Sequence, residues 1–346
     1  MPPPKSTSPV TLKDIARVIG ITHGAVSLAL RNSPRIGEAT RKRVQALAQE
    51  MGYQPNSMAA GLAQLKRNST VKPIHAALAW LNFWPDSKKL RSYTEFDSYW
   101  QGARACAEKF GYRLEEFVCN DLPSLPRLAK VLNARGISGI LVPPGPLDEH
   151  WKDFHWEHFA AARLGRPSKG LPLHAVTSDQ AMNTILAFDS ARAKGYKRIG
   201  FVGNRWRGWM FGAGFLWAQQ TDHLTYESLP PFLFEDNCNS DETEQALAAW
   251  LEKTKPDAIL TERPELMKML EKAGHRVPED IGVATLSMLD CPIAAGINQN
   301  PAEIGRIAIL LLVSLINDND RGVPANPREI LIKGSWVDGS SLPDRT

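Results

Sequence analysis

The first fifty residues constrain the chain most, because they contain three amphipathic segments that are each too short to be stable helices alone. Leu12, Ile15, Ala16 and Ile19 recur at helical spacing, and Thr11 with Asp14 three residues on supplies a Ser/Thr-x-x-acid opening. Gly20 breaks this helix, and Thr22 is placed to cap a second one through Val26 and Leu30. A third is predicted from Glu38 to Met51, with Val44, Leu47, Ala48 and Met51 on one face, Arg41, Lys42 and Arg43 on the other, and Gly52 ending it. Two helices joined by a tight glycine turn are helix-turn-helix geometry, whose second helix enters the major groove of DNA.

The charge distribution agrees. Residues 1–67 hold ten Lys and Arg against Asp14, Glu38 and Glu50, a net +7, while the whole chain is +4 and the remainder therefore −3. A basic head on a mildly acidic body suits a polyanion-binding module joined to a domain of another kind. At 346 residues two or three domains are expected, and 43% hydrophobic with 23% charged residues is ordinary for a globular protein. No apolar run reaches the ~18 residues of a membrane span, and the start, Met1-Pro-Pro-Pro-Lys5, lacks the apolar stretch of a signal peptide. Cys106, Cys119, Cys238 and Cys291 are scattered without C-x-x-C spacing, which predicts free thiols and a cytoplasmic setting.

The run Val10-Thr-Leu-Lys-Asp-Ile-Ala-Arg17, then Gly20-Ile-Thr22, Ala25-Val-Ser27, Thr40-Arg41 and Gly52-Tyr-Gln-Pro-Asn56 resembles the lac/galactose repressor family, near-continuously over about residues 9–65. The resemblance implies base choice by His23 and Gly24, phosphate contacts from Thr22 and Ser27, and packing by Ala25 and Val26. It departs at Leu28, where the family usually has an arginine that reads guanine, a contact worth ~1–3 kcal/mol of discrimination. Leucine can meet only a thymine methyl, so the operator differs there or specificity is lower. The segment Pro55-Asn-Ser-Met-Ala-Ala-Gly-Leu62-Ala63 matches the family's hinge helix, in which a leucine at the place of Leu62 wedges into the minor groove. Gly61 lowers its helix propensity by ~1 kcal/mol, so order must come from DNA and a second copy. The DNA-contacting set is then Thr11, Thr22, His23, Gly24, Ala25, Ser27, Leu28, Arg31, Arg41, Asn56, Ala59 and Leu62, and the partner is a double-stranded operator bound by a homodimer.

Beyond the hinge, strands and helices alternate. Apolar runs at Ile74–Leu81, Leu114–Val118, Ile137–Val142, Ala175–Thr177, Ile199–Val202, Ala258–Thr261 and Val283–Leu286 read as strands, with helical patterns between them. Alternation over roughly 275 residues predicts two α/β lobes with parallel sheets, and the resemblance implies a periplasmic-binding-protein-like body. The expected organisation is a helix-turn-helix domain over 9–54, a hinge and linker over 55–67, and a two-lobed effector-binding and dimerisation domain over 72–340.

Ligands in open α/β sheets sit beyond the carboxyl ends of the strands. That rule nominates Trp84, Phe96, Tyr99, Asp179, Asn204, Arg205, Trp206, Arg207, Phe211, Arg263, Ser287 and Gln299 for an effector. Aromatic faces with a few polar groups suit a sugar, a sugar derivative or another planar metabolite. Phe211, Arg263-Pro264 and Ser287 stand where sugar-binding relatives place an arginine, an Asn-Asp pair and an aspartate, so the ligand is unusual or the pocket has filled in. In the second case the body is an effector-independent scaffold. No G-x-S-x-G, P-loop, GxGxxG or HExxH motif is present, so no enzyme and no cofactor is expected. His150, His155 and His158 with Asp153 and Glu157 read as a solvated helix face, and no metal site is predicted.

Overall fold

In a computed structural model the described residues are 12–30, 32–33, 35–51, 53, 76–119, 124–145, 149–166, 170–206, 208–221, 228–235 and 241–345. The hinge calls on Asn56, Ala59 and Leu62, and those on Thr11, Arg31 and Arg207, lie outside them.

The headpiece is three helices, α1 (Leu12–Ile19), α2 (His23–Leu30) and α3 (Glu38–Glu50). They bury Ile15, Ala16, Val26, Ala29, Val44 and Ala48 against one another, with Leu12, Ile19, Leu47 and Met51 at the edge. No helix of eight residues persists alone in water, so this shared core is what holds α1 and α2.

The body has two six-stranded sheets. The first, ordered β11-β5-β4-β3-β1-β2, is all parallel and comprises β1 (Ala76–Asn82), β2 (Tyr112–Val118), β3 (Gly139–Val142), β4 (Ala160–Leu164), β5 (His174–Ser178) and β11 (Glu329–Ile332). The second, ordered β12-β10-β9-β8-β6-β7, comprises β6 (Ile199–Asn204), β7 (Phe232–Phe234), β8 (Ala258–Thr261), β9 (Gly282–Thr285), β10 (Ala295–Asn298) and the antiparallel β12 (Ser335–Val337).

Helices α4 (Ser87–Leu90), α5 (Thr94–Lys109) and α6 (Leu125–Ala134) follow strands of the first lobe. The second lobe carries α7 (Gln180–Ala193), α8 (Trp209–Thr221), α9 (Asp241–Thr254) and α10 (Leu266–Lys272). The chain then returns to the first lobe as α11 (Pro301–Asp318), which buries Ile304, Ala308 and Leu312 in the same core as Tyr99, Trp100 and Ala103 of α5. The lobes are thus joined by three crossings, after β5, after β10 and between β11 and β12.

The α5–α11 crossing explains two glycines. A Cβ on Gly102 would stand 1.9 Å from the Ala302 carbonyl oxygen, and one on Gly305 would stand 2.0 Å from that of Tyr99. Only hydrogen at both positions lets the two backbones touch.

The segment around His155 is not a helix face. It forms two 3-10 turns, Glu149–Asp153 and Trp156–His158, with Trp151, Phe154 and Trp156 buried and His155, Glu157 and His158 exposed. His155 Nδ1 lies 2.9 Å from Glu157 Oε1, a pairing that an exposed surface accounts for. Among the described residues no helix is long and apolar enough to cross a membrane, and Cys106, Cys119 and Cys291 are free thiols.

Candidate functional site

The turn of the headpiece is locked at both ends. Gly20 adopts φ +79°, which only glycine holds without strain, and the amides of Gly20 and Ile21 both donate to the Ala16 carbonyl (2.9 and 3.2 Å). Thr22 then opens α2: its hydroxyl oxygen accepts from Ala25 N–H (3.2 Å) and its carbonyl from Val26 N–H (3.1 Å). The cap uses a lone pair of Thr22 and leaves its O–H hydrogen as a donor on an exposed residue.

Along α2 the core takes Val26 and Ala29, while His23 is exposed and Gly24, Ala25, Ser27 and Leu28 are half-buried. Gly24 is not imposed by crowding within the chain, since a Cβ there would meet only Thr22 Oγ1 at 3.9 Å. The Leu28 side chain lies outside the headpiece core, and its carbonyl accepts from Ser33 N–H (2.9 Å). The front of α2 is therefore a small-residue surface flanked by an imidazole and a leucine.

Behind it is a brace not foreseen from sequence. Asn32, at φ +56°, ends α2; its carbonyl accepts from Arg41 Nη1 (3.2 Å) and its side-chain oxygen from Gln45 Nε2 (2.7 Å). Arg41 thus spends one nitrogen fixing α2 on α3. Lys42 pairs with Glu38 (2.8 Å) and Arg17 with Asp14 (3.7 Å), exposed pairs that contribute little to stability. A left-handed Asn just past a helix end is the one local signal that could have marked this brace.

The cleft candidates behave differently. Asn204, at the end of β6, is 2% exposed and committed: its amide N–H donates to Glu262 Oε1 (2.7 Å), its Nδ2 to the Glu235 carbonyl, and its Oδ1 accepts from Trp206 N–H. Gln299 is buried and its Nε2 donates to the Leu286 carbonyl (2.7 Å). Phe211 is buried in the core of α7 and α8. Asp179 caps α7 through Met182 N–H (3.2 Å). Arg263 lies over Phe234 and beside Glu265. Among the described candidates only Arg205 and Trp206 stand out in solvent, together with Trp209. Trp84, Phe96 and Tyr99 form one aromatic chain with Tyr93, at centroid separations of 5.5–6.0 Å.

Two carboxylates missing from the sequence-derived set organise the cleft. Glu95 on α5 accepts from Tyr99 Oη (2.7 Å) within its lobe and from Ser287 Oγ (3.2 Å) across the cleft. Burial is the main force raising the Glu95 carboxyl, and it raises the Tyr99 phenol further. Asp290 of the second lobe accepts from Thr94 Oγ1 (2.6 Å) and Glu95 N–H (3.2 Å), capping a helix whose own N-cap residue, Tyr93, supplies no side-chain bond. Glu262 is pushed up to about 7 by burial beside Asn204 and Gly208, and its Oε2 has no partner among the described residues. These pairings join residues up to 196 apart, so no local pattern could reveal them.

Comparison with known proteins agrees with this division. The family model described as bacterial regulatory proteins of the lacI family matches residues 11–56, and that for the periplasmic binding protein-like domain matches 188–342. The chain is 24% identical over 338 residues to the HTH-type transcriptional repressor PurR of Aliivibrio salmonicida, spanning 89% of this chain and 92% of that one. It is 45% identical over 60 residues to the probable HTH-type transcriptional repressor ExuR of Bacillus subtilis, 17% of this chain and 18% of the other. The crystal structure of the lac repressor dimer bound to operator and the anti-inducer ONPF superposes with a TM-score of 0.55 at 17% identity, over 97% of this chain and all of that one. A capped helix-turn-helix with an open recognition face thus carries the lacI family match and two linked parallel α/β lobes carry the periplasmic binding protein-like match, the two-part build of a DNA-binding transcriptional regulator of the lacI kind.

Proposed function

We propose that the protein is a homodimeric, cytoplasmic repressor whose operator affinity is set by a small molecule held between the lobes. The observation that carries the DNA half is the front of α2, where His23 and the O–H of Thr22 stand outward from a helix fixed by Gly20, the Thr22 cap and the Asn32 brace. Thr22 and Ser27, with Thr11, Arg31 and Arg41, would hold phosphates, His23 and Leu28 would meet base edges, and Gly24 and Ala25 would allow close approach. Asn56, Ala59 and Leu62 of two hinges would lie in the minor groove and kink its centre. The lac repressor dimer structure, which holds operator and a small anti-inducer together, supports carrying both partners over to this chain.

The sensing half rests on the contacts of Ser287 and Asp290 with α5, because a ligand that competes for or bridges them changes lobe closure and so hinge spacing. A coupling of about 1–3 kcal/mol would change operator occupancy 5–150-fold.

The wedge is tested with Leu62→Gly on the duplex that selection from random DNA returns. Specific affinity should fall by about tenfold or more while salt-driven binding to unrelated DNA stays within twofold. Equal loss on both duplexes would sink it. Light scattering should give twice the chain mass of 38.3 kDa, and a monomer that binds the full operator would refute the dimer.

A further inference from the structure

The first lobe contains a buried cation that has no counter-charge among the described residues. Arg163 on β4 is 2% exposed and lies opposite Val142 of β3 and Ala175 of β5, on the sheet face covered by α6 and the 3-10 turns. Its guanidinium reaches toward the loop at the carboxyl end of β3, where Nη2 donates to the Gly145 carbonyl at 3.2 Å, while Nε and Nη1 have no partner. Burial pushes it down to about 10, with no described acid acting the other way, so it keeps its charge near neutral pH.

The described acids at this end of the lobe are taken. Glu329 forms a two-bond fork with Arg166 (2.6 and 2.5 Å), Glu116 accepts from Asn82 (2.7 Å), Glu95 is held by Tyr99 and Ser287, and Asp179 caps α7. A buried guanidinium left in this state is costly, and it persists where something outside the chain supplies the missing charge. It sits one residue from the end of a central strand, in the layer where open α/β sheets bind ligands. The adjoining wall is apolar and aromatic: a Cβ on Gly145 would stand 3.0 Å from both Phe83 and Trp84.

We infer that Arg163 is an anion-binding residue and that the molecule sensed by this lobe carries a carboxylate or phosphate group, which the free Nε and Nη1 donors take. This deepens the sensing half of the reading above and rests on it. It also gives physical content to the missing polyol groups at Phe211, Arg263 and Ser287, since recognition would be led by charge and not by a row of hydroxyls.

The test uses the full chain in chloride, acetate and inorganic phosphate buffers at equal ionic strength. Acetate or phosphate should raise the melting temperature by about 2 °C or more, and the anion that acts separates carboxylate from phosphate recognition. Arg163→Met should lose that shift and melt no lower than the wild type in chloride, because it removes a charge that no described acid balances. Arg163→Lys, which keeps the charge without the planar fork, should retain less than half of the shift. No shift with either anion, or an Arg163→Met protein that melts several degrees lower in chloride, would overturn the assignment. Operator affinity measured in the same buffers separates the two readings. An Arg163-dependent shift without a change in DNA binding keeps the anion site and removes its sensing role, whereas intact DNA binding with no shift removes the site alone.

Discussion

The headpiece and the interlobe cleft are both assembled from residues at the ends of regular elements, yet they spend their polar groups in opposite directions. In the headpiece the internal work is done by the backbone and a few braces, namely Gly20, the lone pair of Thr22 and the Asn32–Gln45 bond, and the front of α2 stays turned outward. In the cleft, Asn204, Gln299, Asp179, Ser287 and Glu95 are bonded to other parts of the chain. A surface that must fit a duplex of fixed shape can be preformed and left open. A cleft that moves between two closures needs polar contacts that one closure makes and the other breaks.

The largest effect should come from breaking the body while sparing the head. Gly102→Val would force α5 away from the Ala302 carbonyl, and overpacking of this kind costs about 1–3 kcal/mol or more. Calorimetry should show the body transition lowered by several degrees, with the α1–α3 signal unchanged. A shift of both transitions would mean that the two regions fold as one unit.

Next in size is the cap of α2. Thr22→Ala should cost about 1 kcal/mol of headpiece stability and also weaken DNA binding through the lost donor, and Thr22→Ser should restore both. If Thr22→Ala leaves headpiece melting unchanged, the cap is not what holds the turn.

The equivalent cap in the cleft comes from the other lobe. Asp290→Ala should cost the body about 1 kcal/mol and move the lobes apart, seen as a larger radius of gyration in solution scattering. Unchanged scattering would show that Asp290 caps α5 without holding the lobes.

The smallest effect is a pH dependence. Folded Glu262 keeps its proton to about 7, whereas the unfolded chain releases it near 4.5. The native state thus binds more protons between those values, and its stability falls as pH rises through the window. Glu262→Gln should flatten that fall and be the more stable protein above pH 7; parallel curves for the two would contradict the burial of Glu262 beside Asn204 and Gly208.

How much of this was legible in the sequence differs between the same two regions. Helices α1 to α3 could be read because their signals are local: a 3.6-residue period, a breaking glycine and a capping threonine within twenty residues. Strand β4 could not, since Ala160, Ala161, Ala162 and Arg163 have little strand propensity and are extended only because β3 and β5 pair with them on both sides. Strands β7, β10, β11 and β12 are only three or four residues long and gave no periodic signal. The reason for Gly102 and Gly305, a backbone crossing, appears only in three dimensions. In the cleft the strand-end rule names residues at the carboxyl ends of the sheets. It did not find Glu95, Asp290 or Arg163, whose roles depend on the opposite lobe or on which partners burial leaves them.

The central claim is that the outward face of α2 reads DNA sequence, and selection of bound duplexes from a random pool by the full chain tests it most directly. The expected result is a two-fold symmetric site whose consensus changes at one position per half when His23 is replaced by alanine, with overall affinity altered far less. Enrichment of no sequence, or an identical consensus from wild type and His23→Ala, would contradict it.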